Sequence, residues 1–335
     1  MADAEARARR GDVRRTMPEV RTIIVVAHPY GAKDAHGVPE DPALGVVARY
    51  ARGRDYHRVL KGKLKELGRW LDDEVEAGVR SRAYVDTGPI LERELAARAG
   101  LGWFGRNTML IDPRAGSYTL LGSLLVNAEL PTTERERVRD HCGTCTSCLD
   151  GCPTGALEGR DETGAPVLNA HRCISYWTIE TDAPIPLDIR AAMGNRVFGC
   201  DICQEVCPWN RFADAEGDPA YAARGPGQRP TGVQALPGEE GAAHPGTAAP
   251  HLIDLFRMTE TEWEVWSRAA PLRRSGYRGF RRSVAVAIGN WLAGDDLDEP
   301  RRSEAVELLT QAAADDSAGV VREHAAWALR RISEG

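Results

Sequence analysis

Hydrophobic and polar positions alternate along the first 130 residues in the way that strands and helices require. Residues 21–30 (RTIIVVAHPY) are a β-branched apolar run between polar residues, which predicts a buried strand. From residue 57 to 76, leucines and a valine recur every three or four positions, which predicts a long amphipathic helix. Further predicted elements are strands within 82–89, 108–111 and 118–127 and a helix over 90–100. This alternation predicts an α/β domain.

The chain after residue 250 has a helical pattern that partly repeats itself. FRRSVAVAIGNWL (280–292) and VREHAAWALRRI (321–332) align at an offset of about 41 residues, within the period of HEAT-type repeats. Two ordinary amphipathic helices are the alternative interpretation. The preceding stretch, 213–250, is rich in Gly, Ala and Pro and predicts a flexible insertion.

These patterns divide the chain into four predicted parts. They are an α/β domain (1–130), a cysteine-rich two-cluster domain of ferredoxin type (131–212), the insertion (213–250) and a HEAT-like helical domain (251–335).

Composition adds the class of protein and its location. The chain has 335 residues, of which 42% are hydrophobic, as in soluble globular proteins. No apolar run approaches the roughly 18 residues of a membrane span. The first fifteen residues mix arginines with acidic residues and lack the apolar core of an export signal, so a cytoplasmic location is predicted. The net charge of −6 means that any nucleic-acid contact needs a local basic patch.

Seven of the eight cysteines lie in two short segments. The first, CGTCTSCLDGCP (142–153), has the spacing C-x2-C-x2-C-x3-C before a proline. In bacterial ferredoxins the first three thiolates of this run hold one 4Fe–4S cluster, and the fourth reaches a second cluster. The other segment, GCDICQEVCPWN (199–210), has three cysteines before a proline, with Val197 where a ferredoxin repeat has a fourth. The spacing therefore predicts two iron–sulfur clusters.

The remaining cysteine, Cys173, completes the eight ligands that two clusters need. Four-cysteine zinc sites are the alternative for C-x2-C spacing, but the two C-x3-C-P endings favour iron–sulfur clusters. The predicted ligands are Cys142, Cys145, Cys148 and Cys207 for cluster 1, and Cys152, Cys173, Cys200 and Cys203 for cluster 2.

The order and spacing of several stretches resemble the cobalamin-dependent epoxyqueuosine reductases of tRNA queuosine synthesis. Besides the two cysteine segments, they are ARYARGRDYH (48–57), YVDTGPILERELAARAGLGWFGRNTMLI (84–111), GSYTLLGSLL (116–125), RCISYWTIE (172–180) and RRSVAVAIGN (281–290). The resemblance implies reduction of epoxyqueuosine to queuosine at the wobble base of tRNA. It also implies bound cobalamin, an unidentified low-potential electron donor and a monomeric protein. Relative to this family the chain begins late, and Arg106 stands where a lysine is common.

Opening an epoxide leaves an alkoxide that must be protonated, and a carboxylic acid kept neutral by burial suits that task. Asp86, in YVDTGP, follows an apolar strand and matches the donor that the family resemblance implies. The alternative is that Asp86 only caps the following helix.

Two further sets of residues are predicted to bind ligands. Glycines could let backbone approach a corrin ring, although they are equally turn formers. The candidate cobalamin contacts are Tyr56, His57, Gly102, Arg106 and Asn107. The segment 271–283 combines arginines with Tyr277 and Phe280, which suits phosphate contact and base stacking. The candidate tRNA contacts are Arg273, Arg274, Arg278, Arg281 and Arg282; a solvated helix start is the alternative.

Two other functions share part of this pattern. A ferredoxin-like electron carrier would have the clusters but would need neither the large N-terminal domain nor Asp86. A cobalamin-dependent reductase of small molecules, similar to reductive dehalogenases, would have no use for an arginine-rich tail. The enzyme acting on tRNA accounts for all three features.

Overall fold

The chain forms nine strands and twelve helices within the residues that the computed structural model describes, which are 4–31, 39–75, 77–132, 136–212, 217–229, 234, 245–294 and 299–334. The strands are β1 (Thr22–Pro29), β2 (Val46–Val47), β3 (Ser81–Tyr84), β4 (Trp103–Phe104), β5 (Leu110–Ile111), β6 (Thr119–Val126), β7 (Leu157–Arg160), β8 (Pro166–Leu168) and β9 (Arg196–Phe198). The helices are α1 (Ala4–Gly11), α2 (Tyr56–Trp70), α3 (Glu92–Arg98), α4 (Ser147–Asp150), α5 (Ile174–Ile179), α6 (Leu187–Ala192), α7 (Ile202–Glu205), α8 (Leu252–Arg257), α9 (Glu260–Trp266), α10 (Gly276–Leu292), α11 (Glu299–Asp315) and α12 (Gly319–Glu334).

The N-terminal part is built on a three-stranded sheet in the order β1-β6-β3. The central strand β6 is antiparallel to both neighbours. The predicted strands and the helix over 90–100 are confirmed in position. The sheet differs from the predicted α/β class, because α/β folds rest on mostly parallel sheets and this sheet is antiparallel. Alternating strands and helices do not reveal strand direction, and here the β4–β5 hairpin precedes β6.

Helix α2 covers one face of this sheet. Leu60 and Leu64 are 2% exposed and pack with Leu124 of β6, which is fully buried. Burial of each such side chain stabilises the fold by about 1.5–3 kcal/mol. Asp55 caps the helix by accepting the N–H of His57, and a π-helical turn (Leu71–Val75) extends its far end. The predicted amphipathic helix is therefore confirmed.

The C-terminal helices form the largest apolar core, in which α10 is the central element. A β-carbon on Gly289 of α10 would lie 2.7 Å from the Cβ of Ala328, so glycine allows α10 and α12 to pack closely. Both predicted helices are confirmed, and α11 lies between them in the chain. The HEAT-like interpretation stays a prediction.

Two stretches of the predicted insertion are folded onto the rest of the protein. In the first, 217–229, Tyr221 is 2% exposed, and Asp218 contacts Lys63 at 2.8 Å. In the second, 245–250, Thr247 is fully buried and donates to the carbonyl of Arg52. Polar contacts thus hold these two stretches against the rest of the protein, and the flexibility of the insertion stays a prediction. The rest of 213–250, apart from residue 234, lies outside the described residues.

The short parallel pair β2–β9 joins the sheet domain to the cysteine segment and the helical core. Val47 of β2 and Phe198 of β9 are fully buried, and both belong to the core formed with α10. Two residues after Phe198 the chain reaches Cys200, so this pairing sets the position of the second cysteine segment. No helix in the described part of the chain is long and apolar enough to cross a membrane.

Arg282 provides a test of this packing, because it is fully buried and donates to the carbonyls of Trp177 and Ala183. Arg282→Ala leaves both carbonyls without this donor, so we expect the free energy of unfolding to fall by about 2–4 kcal/mol. Arg278→Ala, at an exposed position on the same helix, should change it by no more than about 0.5 kcal/mol. Denaturant unfolding measures both variants, and equal effects would contradict the burial described for Arg282.

Candidate active site and cluster-binding segment

Asp86 lies in a tight turn directly after β3. Its φ of 58° is in the left-handed region that residues with a β-carbon rarely adopt. The N–H of Thr87 donates to the carbonyl of Val85 at 2.6 Å, which closes the turn. The Asp86 side chain is 64% exposed. The turn therefore presents this carboxylate to solvent, where a substrate can reach it.

His57 connects Asp86 to a second carboxylate. Its Nδ1 lies 2.7 Å from Oδ1 of Asp55, and its Nε2 lies 3.3 Å from Oδ2 of Asp86. The ring of Tyr56 stacks on the imidazole with centroids 4.0 Å apart. Since Asp55 caps α2 and Tyr56 and His57 are its first residues, the helix start fixes the imidazole.

The charges around His57 shift its pKa and that of Asp86. Burial alone would lower the pKa of His57, but its hydrogen bonds to Asp55 and Asp86 raise it to about 9. The hydrogen bond from His57 lowers the pKa of Asp86, and burial opposes this only in part. The prediction of a neutral Asp86 with a raised pKa is therefore wrong for this structure, because an adjacent imidazolium stabilises the carboxylate.

Glu92 is a member of this site that sequence reasoning missed. Both of its carboxylate oxygens accept the backbone N–H of Asp86, at 3.0 and 2.9 Å. Burial raises the pKa of Glu92 to about 7, and the charge of Asp86 adds to the shift. The only sequence signal was an acid at the start of the helix after the turn, which is common at helix N-termini.

Four cysteines border one cavity. Three come from the first cysteine segment, and Cys207 comes from the second. Burial raises the pKa of the Cys148 thiol to about 11, and charges on Cys142 and Cys207 add to it. Trp103 Nε1 donates to Cys142 Sγ at 3.5 Å. The cavity is lined by Cys142, Cys145, Cys148 and Cys207 together with Arg106, Asn107, Ile111, His141, Ser147, Pro208 and Trp209.

The other four cysteines interact electrostatically with one another, Cys152 with Cys173, Cys173 with Cys200, and Cys200 with Cys203. Burial raises the pKa of Cys200 to about 12, and the charge of Cys173 contributes. The pKa of Cys173 is raised by burial and by Cys152. Burial also raises the pKa of Cys203, which interacts with Cys200, Cys173 and Cys148. None of the eight cysteines forms a disulfide, and two sets of four thiols suit two 4Fe–4S clusters. Cys148 of the first set also interacts electrostatically with Cys203 of the second.

The candidate cobalamin contacts do not form one surface. Tyr56 and His57 lie beside Asp86, whereas Arg106 lines the cysteine cavity and donates to the carbonyl of Gly143 at 2.8 Å. A β-carbon on Gly102 would collide with the carbonyl of Ile111, so the β4–β5 hairpin itself requires glycine there. Asn107 is 2% exposed and donates to the carbonyl of Cys203. Gly102 and Asn107 therefore have internal roles, and a contact of either residue with cobalamin stays a prediction.

Arg93 links the turn at Asp86 to the loop that borders the cysteines. Its guanidinium donates to the carbonyl of Thr108, and it attracts the Asp86 carboxylate. Thr108 follows Asn107, whose amide contacts Cys203. The carboxylate site and the cysteine groups are thus joined by one short chain of contacts.

The candidate tRNA contacts separate into exposed and internal residues. Arg274 pairs with Glu180 at 2.7 Å and interacts electrostatically with Asp86 and Tyr56, so it faces the same site. Arg273 and Arg278 are exposed. Arg281 pairs with Asp316 at 3.2 Å, and Arg282 is fully buried. The prediction is therefore wrong for Arg282, and Arg281 is occupied by internal contacts.

The aromatic residues of this segment are also used internally. Phe280 is fully buried, and the Tyr277 hydroxyl donates to the carbonyl of Met258. Both side chains make contacts within the protein, although the sequence predicted that they stack on RNA bases.

Two family models match the chain. "Epoxyqueuosine reductase QueG, DUF1730" matches residues 10–87, and "4Fe-4S double cluster binding domain" matches residues 141–210, which contain all eight cysteines. The chain is 41% identical to the epoxyqueuosine reductase of Pseudomonas aeruginosa over 88% of this chain and 71% of that protein. The Xanthomonas campestris enzyme is 38% identical over 93% of this chain and 79% of that protein.

Solved structures agree with these matches. An epoxyqueuosine reductase crystallised with an epoxyqueuosine-modified tRNA-Tyr stem loop is 30% identical, with a TM-score of 0.77 over 95% of this chain and 75% of that chain. The Bacillus subtilis epoxyqueuosine reductase, with its catalytic aspartate loop swung out of the active site, is 28% identical. It has a TM-score of 0.79 over 99% of this chain and 78% of that chain.

The cysteine-rich segment and these matches define an iron–sulfur oxidoreductase with a double-cluster domain. The extent of the sequence identity narrows this class, and the chain belongs to the epoxyqueuosine reductase family. The enzyme hypothesis is thereby favoured over the electron carrier and the small-molecule reductase.

The raised pKa of His57 can be tested by NMR titration of its imidazole. We expect a midpoint near 9 in the folded protein, and Asp55→Asn should lower it toward 6.5 because a hydrogen bond and a negative charge are lost. Since the folded-state pKa exceeds 6.5, this contribution to stability is complete below about pH 6.5 and is lost as the pH rises through about 9.

His251 serves as the internal reference, because burial lowers its pKa, its Nδ1 accepts the N–H of Ile253 and its ring packs on Trp291. Its midpoint should stay below 6.5 in both proteins. An ordinary midpoint for His57 in the wild type, or no change in Asp55→Asn, would contradict the geometry described.

Proposed function

We propose that the carboxylate–imidazole group around Asp86 and the eight cysteines carry out the reduction of epoxyqueuosine in tRNA, the reaction of the family to which the chain belongs. The observation that supports this assignment is the hydrogen-bonded chain from Asp55 through His57 to Asp86. It lies beside Arg274 and is joined through Arg93 to the cysteine segment. In this proposal the group around Asp86 supplies the proton and the cysteine segments supply the electrons.

The reaction converts an epoxide to an alkene and water, and therefore takes up two electrons and two protons. One proton goes to the oxygen that ring opening releases, because a free alkoxide is a poor product at neutral pH. His57 holds a proton on Nε2, next to Oδ2 of Asp86. In this proposal the Asp86 carboxylate takes the proton from His57 Nε2 and passes it to the substrate oxygen, and Asp55 keeps the imidazole in place.

The electrons require cofactors, and the thiol groups suit them. Cys142, Cys145, Cys148 and Cys207 would hold cluster 1, and Cys152, Cys173, Cys200 and Cys203 would hold cluster 2. Tyr56 and His57, beside Asp86, would border cobalamin, whereas Arg106 lines the cavity proposed for cluster 1. When bound, the clusters accept single electrons from a low-potential donor, and cobalamin offers a cobalt centre at which they can be used.

The exposed arginines before and at the start of α10 provide the candidate RNA surface. Arg273, Arg274 and Arg278 are exposed, and Arg274 faces the group around Asp86. Arginine can contact phosphates while a loop base enters the site, as base-modifying enzymes require. In this proposal the helical domain orients the tRNA so that the modified base reaches Asp86.

Anaerobic turnover of epoxyqueuosine-tRNA tests the function. We expect queuosine, measured by mass spectrometry of digested nucleosides, to form only when reductant and cobalamin are both supplied. Asp86→Asn removes the carboxylate that passes the proton from His57 to the substrate and should lower kcat by about 10²–10⁴-fold. Asp188→Asn, an exposed aspartate at the start of α6, is the matched control and should keep wild-type turnover. Product without cobalamin, or full activity in Asp86→Asn, would contradict the proposal.

The assignment of cysteines to clusters can be tested by iron counting in two double variants. Cys142→Ala/Cys207→Ala removes two ligands from one proposed cluster, so about four of eight irons should remain. Cys142→Ala/Cys203→Ala removes one ligand from each cluster, so both clusters should be impaired and less iron should remain. Each variant loses the same number of thiols, which controls for general damage. Equal iron contents would contradict the crossed assignment of Cys207.

A further inference from the structure

Glu92 makes an interaction that the proposed proton route does not use. The chain turns at Asp86 with a φ of 58°, and the N–H of that residue points at both carboxylate oxygens of Glu92. A left-handed conformation is unfavourable for aspartate unless surrounding contacts hold it. Together with the hydrogen bond from Thr87 to the carbonyl of Val85, the contact with Glu92 opposes relaxation of this turn.

The carboxylate of Glu92 is itself held on a fixed element. Glu92 is the first residue of α3, where the partial positive charge of the helix start favours an acidic side chain. Ala96 and Ala97 of the same helix are buried against Leu110, and Arg93 donates to the carbonyl of Thr108. By contrast, Asp86 is in an exposed turn. The interaction therefore joins an exposed turn to a helix that is packed against its neighbours.

The orientation of the Asp86 carboxylate depends on this backbone contact. Its Oδ2 lies 3.3 Å from His57 Nε2, so a small rotation of the turn would separate the two atoms. We propose that Glu92 is a positioning residue, which holds the backbone of Asp86 so that its carboxylate faces His57 and the substrate. This inference rests on the proposed role of Asp86, but the contact itself can be tested separately.

Hydrogen exchange at the Asp86 amide measures the contact without reference to activity. Glu92→Ala removes the acceptor, so we expect exchange at Asp86 to become about 10-fold faster, as loss of one hydrogen bond to a charged group requires. Glu92→Gln keeps an acceptor oxygen and should exchange at nearly the wild-type rate. Glu94→Ala is the matched control, because Glu94 lies on the same helix and pairs with Arg137.

Turnover of epoxyqueuosine-tRNA then measures the consequence. In Glu92→Ala we expect kcat to fall by up to about 100-fold, the effect of a misplaced reacting group, with an unchanged KM for tRNA. Glu92→Gln should recover most of the loss, and Glu94→Ala should show none. Iron content and thermal unfolding of each variant establish that it is folded. If Glu92→Ala does not fold, Glu92→Asp, whose shorter side chain cannot reach the amide, replaces it.

The outcomes separate this inference from the proposed function. Wild-type exchange and turnover in Glu92→Ala would overturn the positioning role, as would a Glu92→Gln variant as slow as Glu92→Ala. Full activity in Asp86→Asn would instead overturn the proposed proton donor. In that case, faster exchange in Glu92→Ala would still show that Glu92 holds the turn.

Discussion

Buried hydrogen bonds to the loop from Cys200 to Asn210 are the constraint on which both sites depend. Asn210 is 8% exposed; its side-chain oxygen accepts the N–H of Ser117 at 2.6 Å, and its amide donates to the carbonyl of Gln204. Asp201 accepts the N–H of Arg49 at 2.7 Å. These bonds attach the second cysteine segment to the sheet domain. Without them Cys207 would not be held beside the first cysteine segment.

Charge balance at the Asp86 site follows from which groups face each other. Two carboxylates on either side of His57 raise its pKa, and the resulting imidazolium lowers the pKa of Asp86. Glu92 faces the same carboxylate from a more buried position, and its pKa moves the other way. The pKa values of Asp86 and Glu92 are therefore shifted in opposite directions. Such a difference allows one site both to hold and to release protons.

The arginines of the segment 271–283 differ in the contacts that they make within the protein. Arg281 and Arg282 point inward, to Asp316 and to backbone carbonyls of the cysteine domain. Arg274, a short distance earlier, points to Glu180 at the Asp86 site. An arginine-rich run on a helix therefore distributes its charges around the axis, so that only some of them face a ligand.

The sequence by itself determined the strand over 21–30, the long amphipathic helix and the α10 and α12 helices, because these follow from periodic burial of apolar side chains. The spacing of the cysteines indicated two clusters, since the run C-x2-C-x2-C-x3-C before a proline is typical of proteins with two 4Fe–4S clusters. Only the tertiary structure decided the antiparallel sheet, the internal roles of Gly102 and Asn107, and the low pKa of Asp86. Each depends on contacts between residues distant in sequence. The interaction of Asp86 with His57, which are 29 residues apart, has no periodic or compositional signal, and it reversed the expected charge state.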